Sequence, residues 1–209
     1  IRNSNSSMLV AQCQRAGAQA IALGIAQDNE ASLREMISRG LENADLLLLS
    51  GGVSAGKFDL APQVLESLGA QNYVRRVALK PGKPLWFGTL DRDQRRTLIF
   101  GLPGNPASSL VCFELFVAPA IARLAGHPPA PRTRQKAELA TAWTHRGDRP
   151  TFFPGRWEKA DAAVPRVHPL PWKGSADLRT IALADCLLCF PPGETSYPAG
   201  AAIDVIPLN

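Results

Sequence analysis

The stretch A-D-L-L-L-L-S-G-G-V-S-A-G-K-F-D, Ala44 to Asp59, decides how this chain folds. Four consecutive leucines, Leu46–Leu49, leave no alternation between core and solvent. Asp45–Leu49 therefore reads as a strand covered on both faces, the usual state of a parallel strand. It runs into the turn S-G-G-V-S-A-G, and Leu60–Leu68 reads as a helix closed by Gly69. Strand, glycine turn and helix together make one step of a sheet that alternates with helices.

The same texture extends both ways. Upstream, Glu30–Asn43 reads as a helix, with Leu33, Met36, Ile37 and Leu41 on one face, and Gln19–Gly24 as a short apolar strand. Ser6–Ala16 reads as a first helix, buried through Met8, Leu9, Ala11, Gln12 and Cys13. Downstream, Tyr73–Leu79, Leu85–Phe87 and Thr97–Phe100 read as strands, and Ala107–Leu124 as a long helix closed by Gly126. Residues 1–126 are thus expected to form an α/β domain, a parallel-dominated sheet with helices on both faces, in three layers. Residues 127–134, H-P-P-A-P-R-T-R, read as a linker because closely spaced prolines hold neither helix nor central strand. In residues 135–209, short apolar runs recur between turn signals: Lys136–Ala142, Thr151–Lys159, Ala163–Pro169, Cys186–Phe190 and Ala202–Leu208. Helical periodicity is confined to the neighbourhood of Ala176–Ala184, so a small all-β barrel or β-sandwich is expected, and the barrel is the form taken here.

Composition narrows the function. With 45% hydrophobic and 20% charged residues over 209 positions, a core needs no disulfide or metal staples. Leu46–Leu49 falls far short of the roughly 18 apolar residues of a membrane helix, and no span is expected. The net charge of +5 points to anionic ligands. Lys and Arg are scattered without interleaved aromatics, which argues against nucleic acid. The C-x-x-C pair Cys186 and Cys189 lies in apolar text without a second pair or a nearby His, so buried thiols in a reducing cytoplasm are expected. A chain that opens on Ile1 is expected to be a piece of a longer protein.

Three polar turns stand at expected strand ends, where open α/β sheets bind ligands. In Ser50–Asp59, Gly51 and Gly52 let backbone N–H groups approach a phosphate or a pterin carbonyl, and Asp59 either serves the ligand or caps the next helix. In K-P-G-K-P, Lys80 to Pro84, prolines stiffen a loop with two cations, suited to a tetrahedral oxyanion or left as incidental charge. In G-L-P-G-N-P-A-S-S, Gly104, Asn105, Ser108 and Ser109 surround a helix start. Asp28 either pairs with ring N–H donors or starts the following helix, and Ser4 and Asn5 carry the same ambiguity.

These strings, with N-S-N-S-S-M-L at the start, the segment around Asp28 and W-K-G-S-A-D-L in the second domain, resemble the molybdopterin molybdenumtransferases. The resemblance implies an enzyme of molybdenum cofactor biosynthesis. It binds adenylylated molybdopterin, places molybdate at the dithiolene and releases AMP with Mg²⁺. Asp28 and Asp59 would address the pterin and its phosphate end, with Asp59 also the metal ligand. Ser50, Gly51, Gly52 and Ser54, with Pro103, Gly104 and Asn105, would wall the pterin pocket. Asp59, Lys80 and Lys83 would be catalytic. Ser108, Arg149 and Ser175 would join the lysines around molybdate, a dianion that two cations and hydroxyl donors suit. Catalysis would be positioning and charge neutralisation.

The resemblance further implies a cytoplasmic homodimer of the full-length protein, a contact with the pathway's adenylyltransferase, and small-molecule substrates only. This sequence departs from the family pattern at Asn3, Asn29 and Pro154, which stand where Asp, a second acid and a second Arg are usual, and the family's N-terminal half lies outside it. The alternatives are an adenylyltransferase-like domain, against which the barrel and K-P-G-K-P speak, and a non-catalytic pterin-binding scaffold.

Overall fold

The computed structural model describes residues 3–53, 60–92, 94–158 and 164–208. The chain divides into two compact units, Ile1–Val77 with Gly82–Pro129, and Ala78–Pro81 with Ala130–Asn209.

The first unit holds a sheet of β1 (Leu46–Ser50), β2 (Gln71–Arg76), β3 (Pro84–Arg92) and β4 (Arg95–Leu102), in the order β1-β4-β3-β2. β1 and β4 are parallel, from Leu46 opposite Leu98 to Ser50 opposite Leu102. β3 is antiparallel to both neighbours, so the sheet is mixed rather than parallel-dominated. The cause is the connection. β3 ends at Arg92 and β4 starts at Arg95, and so short a link makes a hairpin, whereas a parallel crossover needs about a dozen residues or more. Leu85–Phe87 lies near the start of β3 and Thr97–Phe100 in the middle of β4.

Helices α1 (Ser4–Arg15), α2 (Glu30–Asn43), α3 (Leu60–Ser67) and α4 (Pro106–Leu124) cover the sheet. One core joins Ile37 and Leu41 of α2 and Val64 and Leu65 of α3 to Leu47, Trp86 and Ile99. The other joins Leu9 and Cys13 of α1 and Phe113, Val117 and Ile121 of α4 to Leu85, Phe100 and Leu102, with Leu46 and Leu48 against it. The leucines of β1 thus alternate between two buried faces, which is why the run is unbroken. Residues 19–24 pair with no described strand. Leu23 packs on the core, but Ile21 and Ile25 stay exposed.

α4 widens to a π turn at Phe113–Val117, where the Ala118 N–H reaches the Phe113 carbonyl. Pro119 explains the position, since it has no N–H to donate and its ring crowds the carbonyl four residues back. α4 is the one described helix long and apolar enough to cross a membrane, and half of it is buried within the protein. It serves here as a core helix.

The second unit closes a barrel from β5 (Gln135–Leu139), β7 (Thr151–Trp157), β8 (Arg166–Pro169), β9 (Cys186–Phe190) and β11 (Ala202–Pro207), in the order β11-β5-β8-β7-β9. Leu139, Val167, Leu188, Phe190 and Val205 fill it. β6 (Trp143–Gly147) and β10 (Gly193–Tyr197) form a separate antiparallel pair that the apolar pattern does not reveal. Gly155 of β7 is required by packing, because a Cβ there would stand 1.8 Å from Leu188 Cδ1. Residues 127–134 have no regular structure, and Leu178–Leu183 is a short helix capped by Asp177.

Candidate functional site

The carboxyl ends of the parallel pair β1 and β4 are where the first unit gathers its polar turns. The Gly51 N–H donates to the Leu102 carbonyl at 3.0 Å, which ties the turn after β1 to the end of β4. Gly51 and Gly52 have φ of +85° and +66°, a region that side chains make costly. The two turns touch, since a Cβ on Gly104 would lie 3.6 Å from Gly51 Cα. Ser50, Gly52, Gly104 and Asn105 are exposed above buried Val53 and Pro103.

Asn5 of α1 joins these turns from below. Its Nδ2 donates to Ser50 Oγ at 2.7 Å and to the Gly104 carbonyl at 2.8 Å. The ambiguity over Asn5 resolves against capping, because Asn3 Oδ1 accepts the Ser6 N–H and caps α1. Likewise Asn29, not Asp28, caps α2 by accepting the Ser32 N–H at 2.8 Å. Asp28 stands exposed one residue ahead, relieved of the capping role. α4 begins with Pro106 after Asn105, and Ser108 and Ser109 are buried in its first turns.

The expected lysine loop is divided between the units. Lys83 belongs to the first, where its carbonyl accepts the Val77 N–H at 3.0 Å. Lys80 belongs to the second, as a one-residue parallel graft beside Thr151. Its N–H donates to the Pro150 carbonyl at 2.9 Å and its carbonyl accepts the Phe152 N–H at 2.8 Å. Arg149 lies alongside, its Nη1 donating to the Leu79 carbonyl at 3.3 Å and its Nε paired with Asp148. The Lys80 and Arg149 side chains are exposed and partly exposed, so the barrel unit offers two cations near one another. Buried His145 sits near them, stacked on Phe190 at 4.9 Å. Burial, then the Lys80 charge, holds its pKa below the ordinary value. Sequence reading did not single out His145, and only its place between polar residues in a weakly apolar segment marks it.

Ser175 occupies the turn before the helix Leu178–Leu183 and is partly buried. Pro154, where the resemblance expects an arginine, is buried in β7 opposite Leu187. Asp59 and Ser54 lie outside the described residues. The described residues contain no group of three or more His, Cys, Asp or Glu that could hold a metal. All four cysteines are free. Burial pushes the Cys112 thiol up to about 12 and Cys189 up to about 11, and raises Cys13 and Cys186 as well. None is poised as a nucleophile.

Fold and strand-end turns define a ligand-binding α/β unit carried on one chain with a β-barrel. Residues 1–123 match the family described as "Probable molybdopterin binding domain", and residues 136–208 match "MoeA C-terminal region (domain IV)". The chain belongs to this molybdopterin-binding family. It is 36% identical to a molybdopterin molybdenumtransferase of Nostoc sp., over 100% of this chain and 48% of that protein. It is 37% identical to one of Synechocystis sp., over 96% of this chain and 48% of that protein. A solved molybdopterin biosynthesis moeA protein of Pyrococcus horikosii superposes with a TM-score of 0.80 at 27% identity, covering 100% of this chain and 49% of that one. The chain spans about half the length of the curated relatives it matches.

Proposed function

We propose that this chain is the substrate-binding part of a molybdopterin molybdenumtransferase, which inserts molybdate into adenylylated molybdopterin and releases AMP. The observation that carries this reading is the junction of the Ser50–Gly52 and Gly104–Asn105 turns at the carboxyl ends of β1 and β4, where parallel strands present ligand sites. There the exposed Ser50 hydroxyl and the turn backbone hold and orient the pterin substrate, and Asp28, free of capping, accepts ring N–H donors. Pro103 supplies the buried floor, and Ser54 is a further proposed pterin contact on the resemblance alone.

Lys83 and Ser108 of the α/β unit and, taken by themselves, Lys80, Arg149 and Ser175 of the barrel unit are the groups proposed to bind an oxyanion such as molybdate. Lysines suit a compact dianion because each is a point charge with three donors. Asp59 is the proposed Mg²⁺ ligand, where the ion would neutralise phosphate charge. Reaction then depends on holding two anions together and neutralising them, with no protein nucleophile. The setting proposed is the cytoplasm, with a homodimeric full-length protein that takes its substrate from the adenylyltransferase.

The test is molybdate-dependent formation of active cofactor from adenylylated molybdopterin, run on this chain and on the full-length parent. The parent is expected to turn over, and a parent that forms no cofactor overturns the reading. Within one protein, Lys83→Ala should weaken molybdate binding about tenfold to hundredfold, the loss of one charge-assisted contact. Equal molybdate affinity of the wild type and the Lys80→Ala/Lys83→Ala variant at low salt rejects the lysine assignment.

A further inference from the structure

α1 carries one polar-and-apolar face that the resemblance leaves unexplained. Asn5, Leu9 and Gln12 recur at helical spacing and are all buried. Leu9 enters the core beneath the sheet. The two polar residues both reach α4 or its approach. Gln12 Nε2 donates to Glu114 Oε1 at 2.9 Å, and Arg15 forms an ion pair with the same carboxylate. Asn5, at the other end of α1, reaches the Gly104 carbonyl just ahead of α4 and also Ser50 Oγ. α1 is therefore strapped along α4 at both ends, and the strap ends at the site.

Asn5 is only 8% exposed, and its Oδ1 is buried without a hydrogen-bond partner among the described residues. The Gly104 carbonyl fixes which way the amide points, since only the nitrogen can donate to it. An orphaned buried acceptor is costly, and Gln12 Oε1 on the same helix is another.

We infer that Asn5 is a positioning residue for the pterin site, resting on the function proposed above. It clamps the β1 turn to the β4 turn through Nδ2, from a buried place under the exposed Ser50 and Gly104. The two glycine turns have few side chains of their own to hold them, so the clamp is what preforms their backbone amides. A preformed site loses less freedom when it binds.

The clamp and its effect on ligand binding are tested separately. Amide hydrogen exchange on the ligand-free chain should be about tenfold faster at Gly51 in Asn5→Ala than in the wild type, because both hydrogen bonds from Asn5 Nδ2 are lost. Exchange at Ala16, at the far end of α1, should not change. Gly51 exchange equal to the wild type overturns the inference, whatever the chain binds. In the second arm, adenylylated molybdopterin is titrated into the wild type, Asn5→Asp and Gln12→Leu. Asn5→Asp replaces the donor by a carboxylate oxygen facing the Gly104 carbonyl, so affinity should fall about tenfold or more. Gln12→Leu loosens the distant end of the strap and should bind like the wild type even if its Tm falls. Parallel losses in both variants would reduce Asn5 to a general structural contact and overturn the inference. A wild-type chain that fails to bind at all, with Gly51 exchange responding as expected, would contradict the proposed function and leave the clamp standing.

Discussion

The two units hold their candidate ligand groups by opposite means. In the α/β unit the groups are backbone and hydroxyl, set by turns at the ends of β1 and β4 and clamped by Asn5. In the barrel unit they are cations, with Lys80 grafted by two backbone hydrogen bonds beside β7 and Arg149 tethered to the Leu79 carbonyl. The difference teaches where precision comes from. A turn of glycines needs an outside clamp, whereas long cationic side chains need only an anchored backbone, because their charge acts at a distance.

The contrast breaks first at the cores. Phe190→Ala empties the barrel, where Phe190 is 2% exposed and packs on His145, Trp143 and Tyr197. It should cost about 3–5 kcal/mol. If the units are separate in stability as in contacts, hydrogen exchange should report the loss in residues 130–208 and spare β1 and β4. Uniform loss across both would erase the distinction.

Next in size are packing and polar contacts. Gly155→Ala must displace Leu188 and should cost about 1–3 kcal/mol by overpacking, read from denaturant midpoints. Glu114→Ala removes a carboxylate that is 1% exposed and strands Gln12, and about 1–3 kcal/mol is expected in the α/β unit. A barrel that loosens more than the α/β unit in the Glu114 variant would contradict the assignment of that clamp.

How much of this the sequence revealed depended on which physical signal each residue carries. The Leu46–Leu49 run, the α2 periodicity and the glycine turns were legible because burial on two faces, helical spacing and positive φ each constrain residue type. Gln19–Gly24 has strand-like composition, yet no neighbour pairs with it, and composition does not supply a partner. β6 and β10 were hidden because they pair across fifty residues through mostly exposed polar positions, as in Thr144 opposite Ser196. Lys80 joins the barrel unit through backbone hydrogen bonds alone, which leave no mark on side-chain pattern. Asn5 could be read either as a ligand group or as a helix cap, and the cap was excluded only once Asn3 was seen to take that position.

pH separates the units more gently. Burial and Lys80 lower the His145 pKa in the folded state, so the unfolded chain binds the proton more readily. The barrel's stability is therefore full above the unfolded value of about 6.5 and declines as pH falls below it. His145→Phe should flatten that dependence in pH-dependent melting, while the α/β unit shows no matching change. The smallest effect belongs to the exposed pair Arg34–Glu30 on α2, where Arg34→Ala should cost about 0.3–0.5 kcal/mol and vanish in high salt.

The most direct test of the central claim is the affinity of this chain for adenylylated molybdopterin, measured for the wild type and for Gly51→Val. Valine at φ +85° opposes the turn that presents the backbone amides and meets Gly104. Binding by the wild type and at least about a tenfold loss in the variant are expected, with the barrel's melting unchanged. Equal affinity in the two proteins would contradict the claim.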